Sequence, residues 1–234
     1  MKPLNLSMIS TGSETLDTLL GGGVRSGMIT DIYGESGSGK TQLCFTLAVN
    51  CAKNSGRVLF VDTAGTFRPE RIMEIGGSAS VLEKITYLRA LATADQINVV
   101  QKIIDLDPQL VVVDTLTGLF SAEYSGPSRH LMVMKHLRSL AVAAISSRCA
   151  VVVTNMVRHV PSSLTDQSGR NLARPVPALQ REYLGSSVSI YSHIKLKLEI
   201  IDAENSIFRA KLVQPPKAAN IEFGVLARGI SDLE

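Results

Sequence analysis

The chain has 234 residues, with 24 Lys and Arg against 21 Asp and Glu, a net charge of +3. With 45% hydrophobic and 19% charged residues it holds enough apolar material for a core and too little charge for a disordered tail. Its longest apolar runs, such as Leu110–Val113 and Ala150–Val153, are strand-sized, and Met1-Lys2-Pro3-Leu4-Asn5 lacks the basic and apolar regions of a signal peptide, so membrane and secreted readings are excluded in favour of one α/β domain.

Taken in order, the chain alternates helical patterns with short apolar strands, as in a largely parallel sheet flanked by helices. Ser13–Leu20 reads as a short helix capped by Ser13 and stopped by Gly21-Gly22-Gly23. Met28–Tyr33 is strand-like, and a glycine-rich turn leads into a helix from about Lys40 to Lys53. Arg57–Asp62 reads as a buried strand, and Pro69 opens a helix running through Glu74. Ala94–Leu106 is helical and ends before Pro108, and Leu110–Asp114 is the next strand. A long helix covers Arg129–Ser146, with Met134, Leu137, Ala141 and Ala144 on one face, and Ala150–Asn155 follows as a strand. In the last third, Ser187–Asp202, Phe208–Val213 and Asn220–Val225 alternate like antiparallel strands. Between them, Met156 to Tyr183 keeps no steady period and contains Pro161, Gly169, Pro175 and Pro177, so it reads as a long functional loop.

Gly34-Glu35-Ser36-Gly37-Ser38-Gly39-Lys40-Thr41 fits G-x-x-x-x-G-K-[ST], between a predicted strand and a predicted helix. The glycines at 34, 37 and 39 let backbone N–H groups turn toward phosphate oxygens, and the helix start adds positive potential. Lys40 is placed to reach the β and γ phosphates, and the Thr41 hydroxyl to ligate Mg²⁺. Leu110–Asp114 supplies the matching half, a buried strand that delivers one carboxylate, Asp114, to the same metal.

A wider set of residues resembles the core of archaeal and eukaryotic recombinases of the RecA/RadA kind. It comprises Ile9–Ser13 with Leu16-Asp17, Gly34-Glu35 with Gly39–Gln42, Asp62-Thr63 with Gly65-Thr66-Phe67-Arg68-Pro69-Glu70-Arg71, Asp114, Glu123–Gly126, Thr154-Asn155 and Lys211–Pro216. The Gly65–Arg71 run is its most specific part. The resemblance implies a RecA-type P-loop ATPase core with antiparallel C-terminal strands, ATP and Mg²⁺ as ligands, and a nucleotide contact from Gln42. It also implies two DNA-facing loops, one after Gly126 and one after Asn155.

The departures from that pattern set the functional expectation. Only 33 residues precede Gly34, too few for the family's N-terminal helical domain and its Phe-x-x-Ala linker, so residues 1–234 read as a single core resembling RadB-like paralogues. The string Phe45-Thr46-Leu47-Ala48 lies inside the predicted helix and reads as core. Ala64 stands where the family has the Glu that polarises the attacking water, help typically worth about 10²–10⁴-fold. Met156 stands where the family has a Gln that senses the γ-phosphate, and a thioether has no N–H to donate. Gly37 replaces an adenine-stacking Arg, and Gln214 replaces an acid of the ATP-capping segment. Phosphate and Mg²⁺ binding are therefore expected without fast hydrolysis, with no catalytic residue assigned; Glu35 and Glu70 are the nearby candidates for a substitute base.

Arg158, Arg170, Arg174 and Arg181 against Asp166 give the irregular stretch a local excess of +3, equal to that of the whole chain, and mark it for single-stranded DNA. The first loop looks short, with Arg129 and His130 as its backbone-touching candidates. With no Trp and 5% aromatics, broad base stacking is not expected. The leading reading is an accessory module that binds ATP and contacts the main recombinase or other paralogues as a hetero-oligomer, offering a groove where Ile97–Leu106 packs beside Leu110–Asp114. The alternatives are a KaiC- or helicase-like ATPase motor and a nucleotide-independent adaptor. Cys44, Cys51 and Cys149 form no metal spacing and read as free thiols of a reducing compartment, cytoplasm for an archaeal source and nucleus for a eukaryotic one.

Overall fold

The computed structural model of the chain describes residues 7–160 and 179–233. A two-strand ribbon, β1 (Met8–Ile9) with β2 (Val24–Arg25), brackets α1 (Glu14–Leu20). The Ser13 hydroxyl accepts the Leu16 N–H at the start of α1, and Gly21, at φ 79°, ends it in the left-handed region. Strands and helices then alternate through β3 (Ile29–Gly34), α2 (Lys40–Lys53), β4 (Val58–Asp62), α3 (Pro69–Glu74), α4 (Ala79–Leu82), β5 (Ile85–Arg89), α5 (Thr93–Leu106), β6 (Leu110–Asp114), α6 (Gly118–Glu123), α7 (Gly126–Ser146) and β7 (Ala150–Val160). The chain continues through β8 (Leu179–Glu182), α8 (Gly185–Ser189), β9 (Ile194–Asp202), β10 (Ile207–Gln214), β11 (Asn220–Leu226) and β12 (Gly229–Asp232).

The main sheet runs β12-β11-β10-β9-β3-β7-β6-β4-β5, with β8 hung on β7. Neighbours from β9 to β5 are parallel, and β9 through β12 are antiparallel. Side chains alternate across each strand, so the central strands fill two cores. Val58, Phe60, Val112, Val152 and Ile32 face α2, while Leu59, Val61, Val111, Val113, Val151 and Val153 face α5 and α7. The fold is thus the expected mostly parallel sheet between helices, with antiparallel C-terminal strands.

Several elements differ from the sequence expectation. Ser187–Asp202 is not one strand: α8 occupies its start, and β9 lies between β3, its parallel neighbour, and β10, its antiparallel one. Met156–Tyr183 is not irregular throughout, because β7 continues to Val160 and β8 returns beside it. The edge strand β5 escaped the reading; its exposed Thr86, Tyr87 and Arg89 blur the period that a buried strand would display. The buried face of α7 is Val133, His136, Leu137, Leu140, Ala143 and Ala144, turned from the expected stripe, and α7 starts three residues earlier, at Gly126. α5 packs chiefly on β4 and α7, one strand over from the expected groove beside β6. Phe45 and Ala48 are fully packed core residues of α2, and the three cysteines are free and buried.

Among the described residues, no helix is long and apolar enough to cross a membrane. One buried group carries a pH signature. His136 is 2% exposed beside the Phe120 ring, and neither ring nitrogen has a hydrogen-bond partner among the described residues. Burial disfavours its imidazolium and lowers its pKa from 6.5 to about 4. Between these values the unfolded chain takes up a proton that the folded chain refuses, so stability is intact above pH 6.5 and falls as pH drops toward 4. Urea melts at about pH 7 and about pH 4.5 should therefore differ by roughly 2–3 kcal/mol more in the wild type than in His136→Leu. Equal differences in the two proteins would exclude His136 as the source.

Candidate nucleotide site

The parallel strands β3, β4, β6 and β7 end on one edge of the sheet, and the Gly34–Thr41 loop closes over it between β3 and α2. Gly34 has no room for a side chain: a Cβ there would lie 2.3 Å from the Leu198 carbonyl oxygen and 2.6 Å from Ser38 Oγ. Gly39 caps α2 at φ 88°, where a β-carbon would be strained. The Lys40 ammonium is turned back into the loop, donating to the carbonyl oxygens of Gly34 (3.0 Å) and Glu35 (2.6 Å) and to Ser38 Oγ (3.4 Å). Burial lowers its pKa, against the pull of Asp114, Cys44 and Glu35. A partly desolvated cation whose hydrogen-bond partners are neutral oxygens fits a phosphate.

Three hydroxyls converge on Asp114 at the tip of β6. Thr41 Oγ1 donates to Oδ2 at 2.8 Å, Thr66 Oγ1 approaches the same oxygen at 3.4 Å, and Thr154 Oγ1, from β7, donates to Oδ1. Among the described residues no group of three or more His, Cys, Asp or Glu is arranged to hold a metal. The donor set of one carboxylate and nearby hydroxyls fits a hard cation such as Mg²⁺ that shares its ligands with phosphate and water. Ser36 and Gly37 are exposed at the loop's crest, and Ser38 is buried.

The Gly65–Arg71 run wraps around the end of β4. Asp62 Oδ1 accepts the N–H groups of Ala64 (2.9 Å) and Gly65 (2.6 Å), Oδ2 accepts that of Phe67 (3.0 Å), and Arg89 closes an ion pair at 3.3 Å. Burial raises the Asp62 pKa, but these backbone donors outweigh it and hold the carboxyl below its usual value. Phe67 then packs among Phe45, Phe60 and Tyr87. Arg71 donates to Gln42 Oε1 (2.7 Å) and to the Leu226 and Ala227 carbonyls, joining α3 to α2 and to the β11–β12 turn. Gln42 is therefore turned to Arg71.

On the other side of the loop, β7 and β8 form a ribbon rooted at Met156, whose carbonyl accepts the Tyr183 N–H (2.9 Å) and which lies in register with Gly34. Arg158 and Arg181 sit directly opposite one another in this ribbon, both exposed. They line a cavity of about 520 Å³ together with Tyr33, Arg129, Gln180 and Lys197. The root is fastened by a buried chain: Asn155 donates to Glu182 Oε1 (3.0 Å), Glu182 pairs with Lys195, and Lys195 pairs with Asp31 (3.1 Å). Burial and the Glu182 charge raise the Asp31 pKa well above its ordinary value, with Lys195 pulling the other way.

A Rad51 family model matches residues 3–233. The chain belongs to the Rad51 family. It is 38% identical over 178 residues to a DNA repair and recombination protein RadA of Cenarchaeum symbiosum, covering 68% of this chain and 45% of that protein. It is 39% identical over 173 residues to DNA repair protein RAD51 homolog B of Zea mays, covering 66% of this chain and 51% of that protein. A RadA of Metallosphaera sedula is 39% identical over 177 residues, covering 67% of this chain and 55% of that protein. The chain thus spans about half the length of these curated relatives.

In this Rad51-family chain the positions expected to depart from the family pattern sit in different parts of the fold. Ala64 is exposed beside Asp114's strand tip and carries no carboxylate, and the Met156 thioether is exposed on β7 at the ribbon's root. Of the substitute bases, Glu35 accepts a hydrogen bond from Gln180 and Glu70 is exposed on α3. Gln214 donates to the Ser192 carbonyl (2.7 Å) and so ties β10 to the end of α8. Arg129 donates to the Tyr124 carbonyl (2.7 Å) and its guanidinium lies 5.9 Å from the Tyr183 ring centroid, while His130 Nδ1 bonds Ser187 Oγ (2.7 Å). Arg170 and Arg174 lie outside the described residues. Sequence reasoning missed Asp31, Gln180, Glu182 and Lys195. The alternating lysines of Ile194–Leu198 were the available signal, since two Lys on one face of an apolar strand require either solvent or buried partners.

Proposed function

We propose that this chain is an accessory module of homologous recombination and DNA repair that binds ATP with Mg²⁺, hydrolyses it slowly, and contacts single-stranded DNA and a principal recombinase or other paralogues. The observation that carries the reading is an intact phosphate loop, with Lys40 turned inward and Thr41 joined to Asp114, beside an Ala64 that offers no base. In this reading Gly34–Thr41 hold the triphosphate, while Thr41 and Asp114 hold Mg²⁺, which when bound screens phosphate charge. Lys40 neutralises the terminal phosphates, and Thr154 and Thr66 fix the Asp114 carboxylate. At position 64 a methyl group leaves the attacking water without a proton acceptor. The same intact set weighs against a nucleotide-independent adaptor.

The DNA reading rests on Arg158 and Arg181. Like charges directly opposite across strands repel, and an anion between them relieves that repulsion. A phosphate backbone in the cavity they share with Arg129 and Lys197 supplies such an anion. The α5–β4 side is the proposed face for a partner recombinase in a hetero-oligomer, with residues 1–234 acting as one RecA-type core. The buried free thiols suit a reducing compartment, the cytoplasm of an archaeon or the nucleus of a eukaryote.

Equilibrium binding of a fluorescent ATP analogue with Mg²⁺ should weaken by about 10–100-fold in Lys40→Ala, the loss expected of a charged hydrogen-bonding group. A wild type that does not bind the analogue would refute the reading. For single-stranded DNA, three neutralised phosphates give a log–log salt slope near −2, and Arg158→Ala and Arg181→Ala should each bring it about 0.7 closer to zero. A wild-type slope of zero removes the ribbon from DNA binding.

A further inference from the structure

We infer that the root of the β7–β8 ribbon is a proton-operated clasp: Asp31 and Glu182 hold one proton between them beside Lys195, and its release unfastens the ribbon. Asp31 of β3, Glu182 of β8 and Lys195 of β9 meet with side chains 0%, 8% and 3% exposed. Two carboxyls and one ammonium leave a surplus negative charge where water hardly reaches. A buried charge without its own partner is costly, and a bound proton removes that cost.

The hydrogen bonds show where the surplus falls. Lys195 Nζ donates to Glu182 and to Ser189 Oγ (2.9 Å), and Glu182 accepts a further bond from Asn155 (3.0 Å). Asp31 Oδ2 lies 3.1 Å from Lys195 Nζ, yet among the described residues neither Asp31 oxygen receives a well-directed hydrogen bond. A carboxylate can only accept, whereas a carboxylic acid supplies its own O–H. The Glu182 carboxyl is within hydrogen-bonding reach to take it. Two carboxyls this close repel strongly when both are ionised, so one proton serves the pair. Burial first, and then the Glu182 charge, pushes the Asp31 carboxyl up in the same direction.

The other polar groups around the triad have partners of their own. On β9, Lys197 pairs with Glu199; on α7, Arg129 bonds the Tyr124 carbonyl and the Tyr183 hydroxyl, and His130 bonds Ser187. Burial and the nearby carboxylates raise the Tyr33 phenol, which stays neutral. On β10, Gln214 is the register partner of Lys195 and carries no charge. Arg158 of β7 and Arg181 of β8 are exposed, and Glu182 lines the same cavity as both.

Release of the proton to solvent leaves Asp31 and Glu182 both charged against one ammonium. Asp31 is locked in β3, between two neighbouring strands, so Glu182 is the member that yields. It turns toward the cavity, where Arg129, Arg158, Arg181 and Lys197 offset its charge, and gives up Asn155 and Lys195. Those two bonds tie β8 to β7 and β9, so the segment carrying Arg181 loosens at its base. The clasp is independent of what the cavity binds.

The test uses the full chain, carbon-13 labelled at its side-chain carboxyls, titrated by NMR from about pH 5 to about pH 10, with amide exchange protection followed at Val157 and Tyr183. Asp31→Asn places an N–H where the shared proton sits, and Glu182→Gln removes the surplus charge from the other side. In the wild type the Asp31 and Glu182 carbons should titrate together, well above the ordinary carboxylate range, and ribbon protection should fall about tenfold or more across that midpoint. In Asp31→Asn, Glu182 should stay ionised through neutral pH and the protection should no longer change with pH. In Glu182→Gln the Asp31 midpoint should drop by about one pH unit or more. Asp31 and Glu182 carbons that are both ionised at neutral pH overturn the shared proton. A joint titration that leaves ribbon protection unchanged, or a loss of protection that persists in Asp31→Asn, overturns the clasp.

Discussion

Parallel pairing of β3 with β7, and of β7 with β6, is the constraint on which the site depends. It aligns Gly34 with Met156 and brings Thr154 against Asp114, so the loop, the Asp114 carboxylate and the ribbon's root all emerge from one edge. Gly34 is pressed onto the β9 backbone, which leaves the loop one path out of the sheet. Thr41, in the first turn of α2, then meets Asp114 across the gap. No single motif residue could hold this arrangement without the strands beneath it.

The Gly65–Arg71 run serves the scaffold. Asp62 gathers three backbone N–H groups, Phe67 joins an aromatic cluster, and Arg71 braces α2 through Gln42. Ala64, inside the same turn, contributes its backbone N–H and no acid. The turn's shape is set by the Asp62 carboxylate and the Ala64 backbone N–H, and both are independent of the side chain at position 64.

The phosphate loop, the Asp114 strand and the sheet class were legible because each is encoded locally, by glycine, lysine and short apolar runs. The C-terminal third was harder. Ile194–Asp202 has the alternation of a half-exposed antiparallel strand, yet β9 sits beside β3 with its Lys195 buried under α8 and β8. Its partners, Asp31 and Glu182, are distant in sequence, so nothing local announces the ion chain. The ribbon was hidden for a similar reason: Met156–Val160 and Leu179–Glu182 pair across a long interval, and ladder bonds between distant segments leave little periodicity in either one.

The central claim is that the site grips a triphosphate and is poor at cleaving it. Single-turnover phosphate release from Mg²⁺–ATP, with single-stranded DNA present and Lys40→Ala as the blank, tests it most directly. The account predicts a wild-type rate within about tenfold of the blank, because the water at Ala64 has no base. A rate on the order of 10²-fold or more above the blank, the gain a placed general base confers, would contradict it.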